Sequence, residues 1–200
     1  MNLEAALYMI PVSISDAAPS DFIPAGNIGI VAGIRHFIVE NVRTARRFLR
    51  RCDPSFPIGD CTFCELNGHT DPNEIHSFLE PLRKGQPVGM MSEAGCPGVA
   101  DPGASVAAIA QREGLKTVPL AGPSSILMSL MASGFNGQGF SFNGYLPISD
   151  AEKAKRVREL ESTAAKTGMT QIFIETPYRN NRTVALLAET LRPDTLLCVA

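Results

Sequence analysis

The chain has 200 residues, of which 44% are hydrophobic and 19% are charged, so it can bury a core as one large domain or two compact lobes. Its formal net charge of −2 excludes a protein that coats nucleic acid through overall positive charge, although it allows a local basic patch. No apolar run is long enough to cross a bilayer, and the N-terminus lacks the pattern of a signal peptide. We therefore expect a cytoplasmic protein without membrane association.

Strands and helices alternate along the first part of the chain. Short apolar runs predict four strands, at residues 7–12, 35–40, 87–91 and 116–120. Apolar residues at helical spacing predict a helix over residues 42–52, and Asp71 followed by Pro72 is typical of a helix start. Further helices are predicted after Gly103 and Pro123. This alternation predicts an α/β fold.

The amino-acid composition changes after Gly134. Residues 135–144 are rich in Gly, Asn and Phe, which predicts a linker between two lobes. We therefore expect an N-terminal α/β lobe over residues 1–134 and a C-terminal α/β lobe over residues 135–200. After a capping box at Ser149 and a charged helix, the second lobe is predicted to contain a strand, a helix and a strand, at residues 171–175, 183–191 and 195–199. Because the chain stops within the last of these strands, we expect further residues after Ala200.

Five cysteines do not form a closed set of disulfides. Cys61 and Cys64 make a lone CxxC pair, with Cys52 upstream and His69 downstream, which is compatible with zinc or redox chemistry. A zinc site normally needs a second pair or a clear fourth ligand at suitable spacing. We therefore predict reduced, packed thiols and no metal site.

Three loops follow the carboxyl ends of predicted strands, where ligands bind in open α/β sheets. These loops comprise residues 11–16, 92–103 and 120–125. The second and third are rich in small residues, which let a ligand approach the main chain closely. Asp101-Pro102 and Gly122-Pro123 each place a proline where a helix begins, so free N–H groups there can receive a carboxylate. Each loop alone is compatible with a plain structural turn, whereas the pair indicates a ligand site.

These loops resemble segments of a known family. Residues 92–103 read Ser-Glu-Ala-Gly-Cys-Pro-Gly-Val-Ala-Asp-Pro-Gly. They resemble the Ser-Asp-Ala-Gly-Thr-Pro…Asp-Pro-Gly segment of the ribosomal RNA small subunit methyltransferase I family, whose members are cytidine 2′-O-methyltransferases. Residues 118–125 resemble its Val-Pro-Leu-Pro-Gly-Pro stretch, residues 142–147 its Tyr-Glu-Gly-Phe-Leu-Pro, and residues 174–179 its Tyr-Glu-Ser-Thr-His-Arg. The sequence thus resembles a divergent member of the tetrapyrrole methylase-type superfamily.

The resemblance implies two α/β lobes with S-adenosylmethionine bound in the cleft between them, and a homodimer. It implies cofactor contacts at Pro11, Ser92, Ala94, Gly95, Pro97, Gly122, Pro123 and Ser124. We add Glu93 and Asp101 to the cofactor-binding candidates, because these carboxylates are among those nearest to the inferred cleft.

Three segments depart from the family pattern. The family has Gly-Asn-Leu-Gly-Asp where residues 13–17 read Ser-Ile-Ser-Asp-Ala, and Glu-Asp-Thr-Arg where residues 40–43 read Glu-Asn-Val-Arg. It has His-Asp-His-Asn-Glu where residues 67–70 read Asn-Gly-His-Thr. These segments are expected to line the substrate side of the site.

Methyl transfer to a ribose hydroxyl benefits from a base, and Glu40 and Glu93 are the candidate catalytic residues, with a structural role as the alternative for each. For Asp101 a helix cap is favoured over catalysis. One predicted helix has a dense basic face that includes Arg51, and this face either holds RNA phosphates or is simply solvated. The candidate RNA-binding residues are Arg43, Arg46, Arg47 and Arg50 on that face and His69. His69 is the only histidine on a predicted ligand-side loop, and a structural or solvated role is its favoured alternative.

Three functions are compatible with these observations. The first is S-adenosylmethionine-dependent methylation of a ribose 2′-hydroxyl, with ribosomal RNA or the small ribosomal subunit as the partner. The second keeps the cofactor but methylates a small molecule such as a tetrapyrrole, in line with the altered substrate-side segments. The third is a non-catalytic module that binds the cofactor or the ribosome and retains the fold.

Overall fold

The computed structural model describes residues 3–200 of the chain. The chain divides into two compact units, Met1–Ser124 and Ser125–Ala200. This division assigns the helix after Pro123 to the second unit, and the lobe boundary after residue 134 stays a prediction. Nowhere in residues 3–200 does a helix combine the length and the apolar character that a membrane span needs.

Strands and helices alternate in both units. The strands are β1 (Leu7–Met9), β2 (His36–Val39), β3 (Thr62–Glu65), β4 (Val88–Met91), β5 (Thr117–Pro119), β6 (Phe140–Tyr145) and β7 (Thr170–Ile174). The α-helices are α1 (Ala25–Ala32), α2 (Val42–Cys52), α3 (Glu80–Arg83), α4 (Gly103–Arg112), α5 (Ser125–Ser133), α6 (Asp150–Thr167) and α7 (Asn180–Thr190). Short 3-10 helices occupy Pro19–Asp21, Ile58–Asp60, Ile75–Leu79 and Pro177–Arg179.

A five-stranded parallel sheet with the order β3-β2-β4-β1-β5 forms the centre of the first unit. The register pairs Leu7 of β1 with Val88 of β4 on one side and with Thr117 of β5 on the other. The connections from β1 to β2 and from β4 to β5 cross the sheet in opposite directions, so right-handed crossovers place α1 and α4 on opposite faces. The carboxyl ends of β4 and β1 therefore lie where sheets of this kind bind ligands.

Apolar side chains alternate between the two faces of this sheet, as the two-residue period of an extended chain requires. Tyr8 and Ile10 belong to the cluster that packs on α1 and α2, whereas Leu7 and Met9 belong to the cluster that packs on α3 and α4. Gly89 in β4 is needed for this packing, because a Cβ atom there would stand 2.7 Å from Ile10 Cδ1. Both faces of the sheet are therefore buried, as is usual for parallel strands.

The α/β class and the four predicted strands of the first unit are confirmed, although each strand is shorter than its apolar run. The helix predicted over residues 42–52 is α2. Asn41 caps this helix, since its side-chain oxygen accepts hydrogen bonds from the N–H groups of Arg43 and Thr44 at 2.9 and 3.2 Å. The strand at residues 171–175 and the helix at residues 183–191 correspond to β7 and α7.

Several local predictions are wrong. The helix predicted from Asp71 starts later and as a 3-10 helix, because Pro81 lacks an N–H donor and fits only the first turn of the short α3. Residues 140–145 form β6 rather than a linker, since they pair with β7. Residues 195–199 form no strand, because they pair with no strand in the part of the chain that the structure describes. Helix α1 is not predicted by the sequence pattern.

The second unit contains a two-stranded parallel sheet, in which Tyr145 of β6 is paired with Ile174 of β7. Its small core comprises Leu146, Val157, Leu160 and Leu187. Helix α6 begins at the predicted capping box, where Ser149 Oγ accepts a hydrogen bond from the N–H of Glu152 at 3.3 Å. It ends at Gly168, whose φ of +70° lies in the left-handed region that terminates helices.

A buried ion pair ties α6 to β7. Lys153 is 1% exposed, and its Nζ donates to Glu175 Oε2 at 2.9 Å and to Thr183 Oγ1 at 2.8 Å. Glu175 also accepts from the N–H of Thr176 at 2.8 Å and pairs with Arg179 at 2.8 Å. Burial alone would raise the pKa of Glu175, but the hydrogen bonds from Lys153, Thr176 and Thr183, with the Lys153 charge, outweigh it and lower the pKa to about 2.

Replacing Lys153 with Met should destabilise the second unit by about 3–5 kcal/mol, because the buried carboxylate of Glu175 loses its charged partner. Lys155→Met is the matched control, since Lys155 lies exposed on the same helix, and it should change stability by less than about 0.5 kcal/mol. The measurement is native-state hydrogen exchange of the α6 and β7 amides as a function of urea.

This stabilisation depends on pH with a defined sign. A carboxylate with a lowered pKa contributes fully above its ordinary value of 4.5, and the contribution is lost as pH falls toward about 2. The difference in unfolding free energy between wild type and Lys153→Met should therefore shrink across that range. Equal stability of Lys153→Met and Lys155→Met at neutral pH would show that the ion pair contributes nothing.

Candidate active site

Three loops meet at the carboxyl edge of the five-stranded sheet. They comprise residues 11–16, 92–103 and 120–125, and they follow β1, β4 and β5, which are neighbours in the order β4-β1-β5. The N–H of Val12 donates to the carbonyl of Gly95 at 2.9 Å, which joins the first loop to the second. Cys96 Sγ donates to the carbonyl of Pro123 at 3.3 Å, which joins the second loop to the third. We call the part of this surface that belongs to the first unit, residues 11–16, 92–103 and 120–124, the three-loop edge.

The absence of a side chain at Gly122 and the left-handed backbone at Gly95 permit this meeting. A Cβ atom at Gly122 would overlap the ring of Pro11, so only glycine lets the third loop lie against the first. Gly95 has a φ of +70°, which favours glycine, and a Cβ atom there would stand 3.5 Å from the carbonyl oxygen of Pro123. The two glycine turns therefore lie side by side on one edge of the sheet.

Helix α1 supports the third loop. The buried Asn27 donates from Nδ2 to the carbonyl of Ala121 at 2.6 Å and so fixes the turn before Gly122. Sequence reasoning missed this residue because Gly26 and Gly29 lower the helix propensity of α1 and obscure its pattern. A single buried asparagine carries no signal that would have identified it.

Asp101 organises the second loop. Its Oδ1 accepts hydrogen bonds from the N–H of Gly98 at 3.0 Å and from the N–H of Gly103 at 2.6 Å, so it fixes the start of α4. Two other polar atoms of the three-loop edge, Asp101 Oδ2 and Ser13 Oγ, are buried without a hydrogen-bond partner within residues 3–200. Because an unsatisfied buried polar atom costs about 1–3 kcal/mol, both atoms are suited to a polar ligand.

Two carboxylates follow the adjacent strands β2 and β4. Glu40 Oε2 accepts a hydrogen bond from the N–H of Glu93 at 2.5 Å, and Thr44 Oγ1 donates to Glu93 Oε1. Burial raises the pKa of Glu40, the N–H of Glu93 lowers it, and the negative charges of Asp101 and Glu93 raise it again, with a net increase. A carboxylate with a raised pKa binds protons more strongly, which suits a general base. Sequence reasoning missed Thr44, which is visible only as a polar residue one turn after Glu40.

The arginines on the basic face of α2 differ in their availability. Arg46 lies over an aromatic ring of β3, with 5.0 Å between its guanidinium carbon and the ring centroid. Arg50 donates to the carbonyl of Pro54. The guanidinium groups of Arg43 and Arg47 are exposed, and nothing in residues 3–200 forms a hydrogen bond or ion pair with them. These two arginines are therefore the best placed to meet an external anion.

Two further basic candidates have different positions. Arg51 donates to the carbonyl of Asp16 at 3.0 Å and to that of Ala17, so it holds the chain just after the first loop. His69 is exposed and follows β3, the edge strand, which lies two strands or about 10 Å from β4. The N–H of His69 donates to Asn67 Oδ1 at 2.9 Å. His69 thus lies at the periphery of the carboxyl edge.

The cysteine pair of the CxxC motif is split between the two faces of the sheet. Cys61 packs against one core cluster and Cys64 against the other, because residues three apart on an extended chain point to opposite sides. Burial raises the pKa of both thiols, and it raises the pKa of Cys52 to about 11. Among residues 3–200, no group of three or more His, Cys, Asp or Glu side chains is placed to hold a metal ion.

The structure brings the predicted cofactor residues together. On the three-loop edge lie Pro11, Ser92, Glu93, Ala94, Gly95, Pro97, Asp101, Gly122, Pro123 and Ser124. Ser92 is buried and its Oγ donates to the carbonyl of Ala94 at 3.2 Å. The role of these residues as cofactor contacts stays a prediction, as do the roles of the catalytic and RNA-binding candidates.

Comparison with known proteins gives sequence and fold relatives. No protein-family model matches the chain. It is 30% identical over 173 residues to the ribosomal RNA small subunit methyltransferase I of Vibrio cholerae, a match that covers 86% of this chain and 56% of that protein. It is 31% identical over 189 residues to the protein of the same name from Mesorhizobium japonicum, covering 94% of this chain and 60% of the relative. The chain thus spans little more than half the length of these relatives.

The fold also has a match among solved structures. The crystal structure of the methyltransferase CobJ superposes with a TM-score of 0.60 at 18% identity, covering 94% of this chain and 77% of the other. The sequence relatives and the fold likeness agree with the motifs of the three-loop edge: the chain is similar in sequence to ribosomal RNA small subunit methyltransferase I, and it shares the fold of the methyltransferase CobJ.

Proposed function

We propose that this protein binds S-adenosylmethionine at the three-loop edge and transfers its methyl group to a ribose 2′-hydroxyl of ribosomal RNA. The observation that carries the proposal is the meeting of the turns at Gly95 and Gly122 beside the carboxylate of Glu40. The names of the relatives from Vibrio cholerae and Mesorhizobium japonicum support the reaction and the acceptor.

The residues of the three-loop edge fit this cofactor. When bound, S-adenosylmethionine supplies a methyl group activated on a positively charged sulfur. The buried and unpaired Asp101 Oδ2 and Ser13 Oγ can accept hydrogen bonds from its amino or hydroxyl groups. The bare main chain at Gly95 and Gly122 allows close approach. Holding donor and acceptor in line and excluding water can supply about 7–11 kcal/mol of the barrier.

Glu40 is the better candidate for the base. Each carboxylate has one engaged oxygen, since Glu93 Oε1 accepts from Thr44 Oγ1 and Glu40 Oε2 accepts from the N–H of Glu93, so hydrogen bonding does not distinguish them. Because burial and neighbouring negative charge raise its pKa, Glu40 can take the hydroxyl proton of the acceptor more readily than an ordinary carboxylate can. Glu93 then positions Glu40 through its N–H.

The RNA side of the proposal rests on α2. Glu40 and Arg43 stand at the start of the same strand-to-helix connection, so a phosphate held by Arg43 would lie close to the base. Arg47 follows one turn later on the same helix, and His69 stands further along the carboxyl edge. Arg46 and Arg50 remain candidates through the positive charge that they add to this face.

The cellular setting is part of the same proposal. A protein with this acceptor acts in the cytoplasm on ribosomal RNA or the small ribosomal subunit, and the resemblance to the superfamily supports a homodimer. The side chains of Met128 and Met131 on α5 are exposed, which supplies apolar surface for self-association.

The proposed cofactor site predicts that Gly95→Ala lowers the affinity for S-adenosylmethionine by at least about tenfold, because the new methyl group occupies the space beside Pro123 that the ligand needs. The matched control is Gly114→Ala, since Gly114 has a φ of +67°, close to the +70° of Gly95, but nothing stands within 4 Å of its Cβ position. Both variants should lose about 1–2 kcal/mol of stability from the same backbone strain.

Isothermal titration calorimetry of both variants separates strain from ligand exclusion. Gly114→Ala should bind the cofactor like wild type despite its lower melting temperature. An affinity of Gly95→Ala equal to that of Gly114→Ala would remove the three-loop edge as the cofactor site.

The proposed base predicts a pH-dependent rate. Methyl transfer should rise with pH as Glu40 loses its proton, with the midpoint above the ordinary value of 4.5, and then level off. Glu40→Gln should lower the single-turnover rate by about 10²–10⁴-fold and abolish this rise, with little change in cofactor affinity. Glu65→Gln, at the carboxyl end of β3, is the control and should keep the rate and the profile. A Glu40→Gln profile identical to that of wild type would assign the proton transfer to another group.

The acceptor is tested by transfer of a radiolabelled methyl group. We expect label in the ribosomal RNA of small subunits, on ribose, and none in a panel of corrins and porphyrins. Label in the corrins and porphyrins alone would favour a small-molecule acceptor. The altered segments at residues 13–17 and 67–70 are compatible with that alternative. Cofactor binding without transfer to either would indicate the non-catalytic module.

A further inference from the structure

Two exposed tyrosines mark the carboxyl end of the small sheet in the second unit. Tyr145, the last residue of β6, is paired in register with Ile174 of β7, and Tyr178 lies in the turn that follows β7. Tyr145 is 54% exposed and Tyr178 is 83% exposed, whereas the third tyrosine of the chain, Tyr8, is buried. We call Tyr145 and Tyr178 the tyrosine edge.

The turn that carries Tyr178 is held in place by the buried carboxylate of Glu175, which also pairs with Lys153. Arg179 pairs with Glu175 at 2.8 Å and donates from Nε to Thr176 Oγ1 at 2.9 Å. Pro177 fixes one backbone dihedral of the short 3-10 helix. The guanidinium carbon of Arg179 lies 5.6 Å from the centroid of the Tyr178 ring. Tyr178 is therefore presented to solvent on a rigid base with a cation beside its ring.

The chemistry around Tyr178 favours a planar polar ligand over an apolar one. The next residues on α7, Asn180 and Asn181, are exposed and polar, and Arg182 is exposed and paired with Asp150 at 2.5 Å. Exposed apolar side chains also occur in this unit, at Ile148 and Val184, but the residues that follow Tyr178 directly are polar. Exposed aromatic rings with neighbouring arginines are instead typical of surfaces on which unpaired bases stack.

We propose that the tyrosine edge stacks against unpaired bases of RNA, with Arg179 adding its charge beside the Tyr178 ring. The inference rests on the proposed function in one respect, namely that the acceptor is RNA. It adds a second contact region, separate from the phosphate contacts proposed for α2. Stacking tolerates any base, so this region holds single-stranded RNA without reading its sequence.

The test is the affinity of the full chain for a fluorescein-labelled single-stranded RNA of mixed sequence, measured by fluorescence anisotropy. Tyr145→Ala and Tyr178→Ala should each weaken binding by about tenfold, which is typical for the loss of one base–aromatic stack. Tyr178→Phe keeps the ring and should stay within about twofold of wild type. The control is Phe140→Ala, which removes a 38% exposed aromatic ring from the amino end of the same strand and should leave RNA affinity unchanged.

The outcomes separate this inference from the proposed function. Unchanged RNA affinity of both alanine variants, or an equal loss in Phe140→Ala, would overturn the inference even if wild type methylates RNA. A parallel loss of S-adenosylmethionine affinity would show that the tyrosines hold the adenine of the cofactor, and a change of oligomeric state in sedimentation would show that they bind a second copy. Either result overturns the inference. If the tyrosine variants lose RNA affinity while wild type transfers no methyl group, the inference stands and the proposed function fails.

Discussion

The contact between the ring of Pro11 and the bare main chain of Gly122 holds together the loops at the carboxyl edge of the first unit. The parallel order β4-β1-β5 brings three strand ends to one edge, but the loops that leave them would diverge if their side chains collided. Because a Cβ atom at Gly122 would overlap Pro11, glycine is required for the third loop to lie against the first. The left-handed φ of Gly95 turns the second loop back in the same way.

Much of the surrounding polar structure maintains this meeting of loops. Asn27 holds the carbonyl before Gly122, and Asp101 holds the two N–H groups that flank its own turn. These bonds are made to the backbone, so they fix geometry while leaving other polar atoms, such as Asp101 Oδ2, unpaired. The polar groups of the scaffold thus have their hydrogen bonds, whereas a few polar atoms have none. Such an arrangement is preorganised for a ligand that supplies the missing hydrogen bonds.

Opposite charges are arranged in sequence along a single strand-to-helix connection. Glu40, which follows β2, has a raised pKa, and Arg43 begins the basic face of α2. In the second unit, a buried ion pair between Lys153 and Glu175 anchors the turn that presents Tyr178. The small net charge of −2 therefore conceals local charge patterns.

The sequence revealed those features whose signal is local. Apolar runs located four of the five strands of the large sheet, all but β3, and the period of apolar residues located α2. The glycine and proline turns located the three-loop edge. It did not reveal α1, whose glycines weaken its pattern, or the buried Lys153–Glu175 pair, which joins residues far apart in the chain. It also predicted a linker over residues 135–144, whose second half lies in β6, because the strand is defined by its partner β7 and the Gly and Asn content suggested a loop.

The most direct measurement is hydrogen–deuterium exchange of the full chain with and without S-adenosylmethionine. Residues 92–103 and 120–125 should both become protected on addition of the cofactor, because their main-chain N–H groups become shielded or hydrogen-bonded together. Protection confined to one of these segments, or found only elsewhere in the chain, would mean that the two glycine turns do not form a shared binding site.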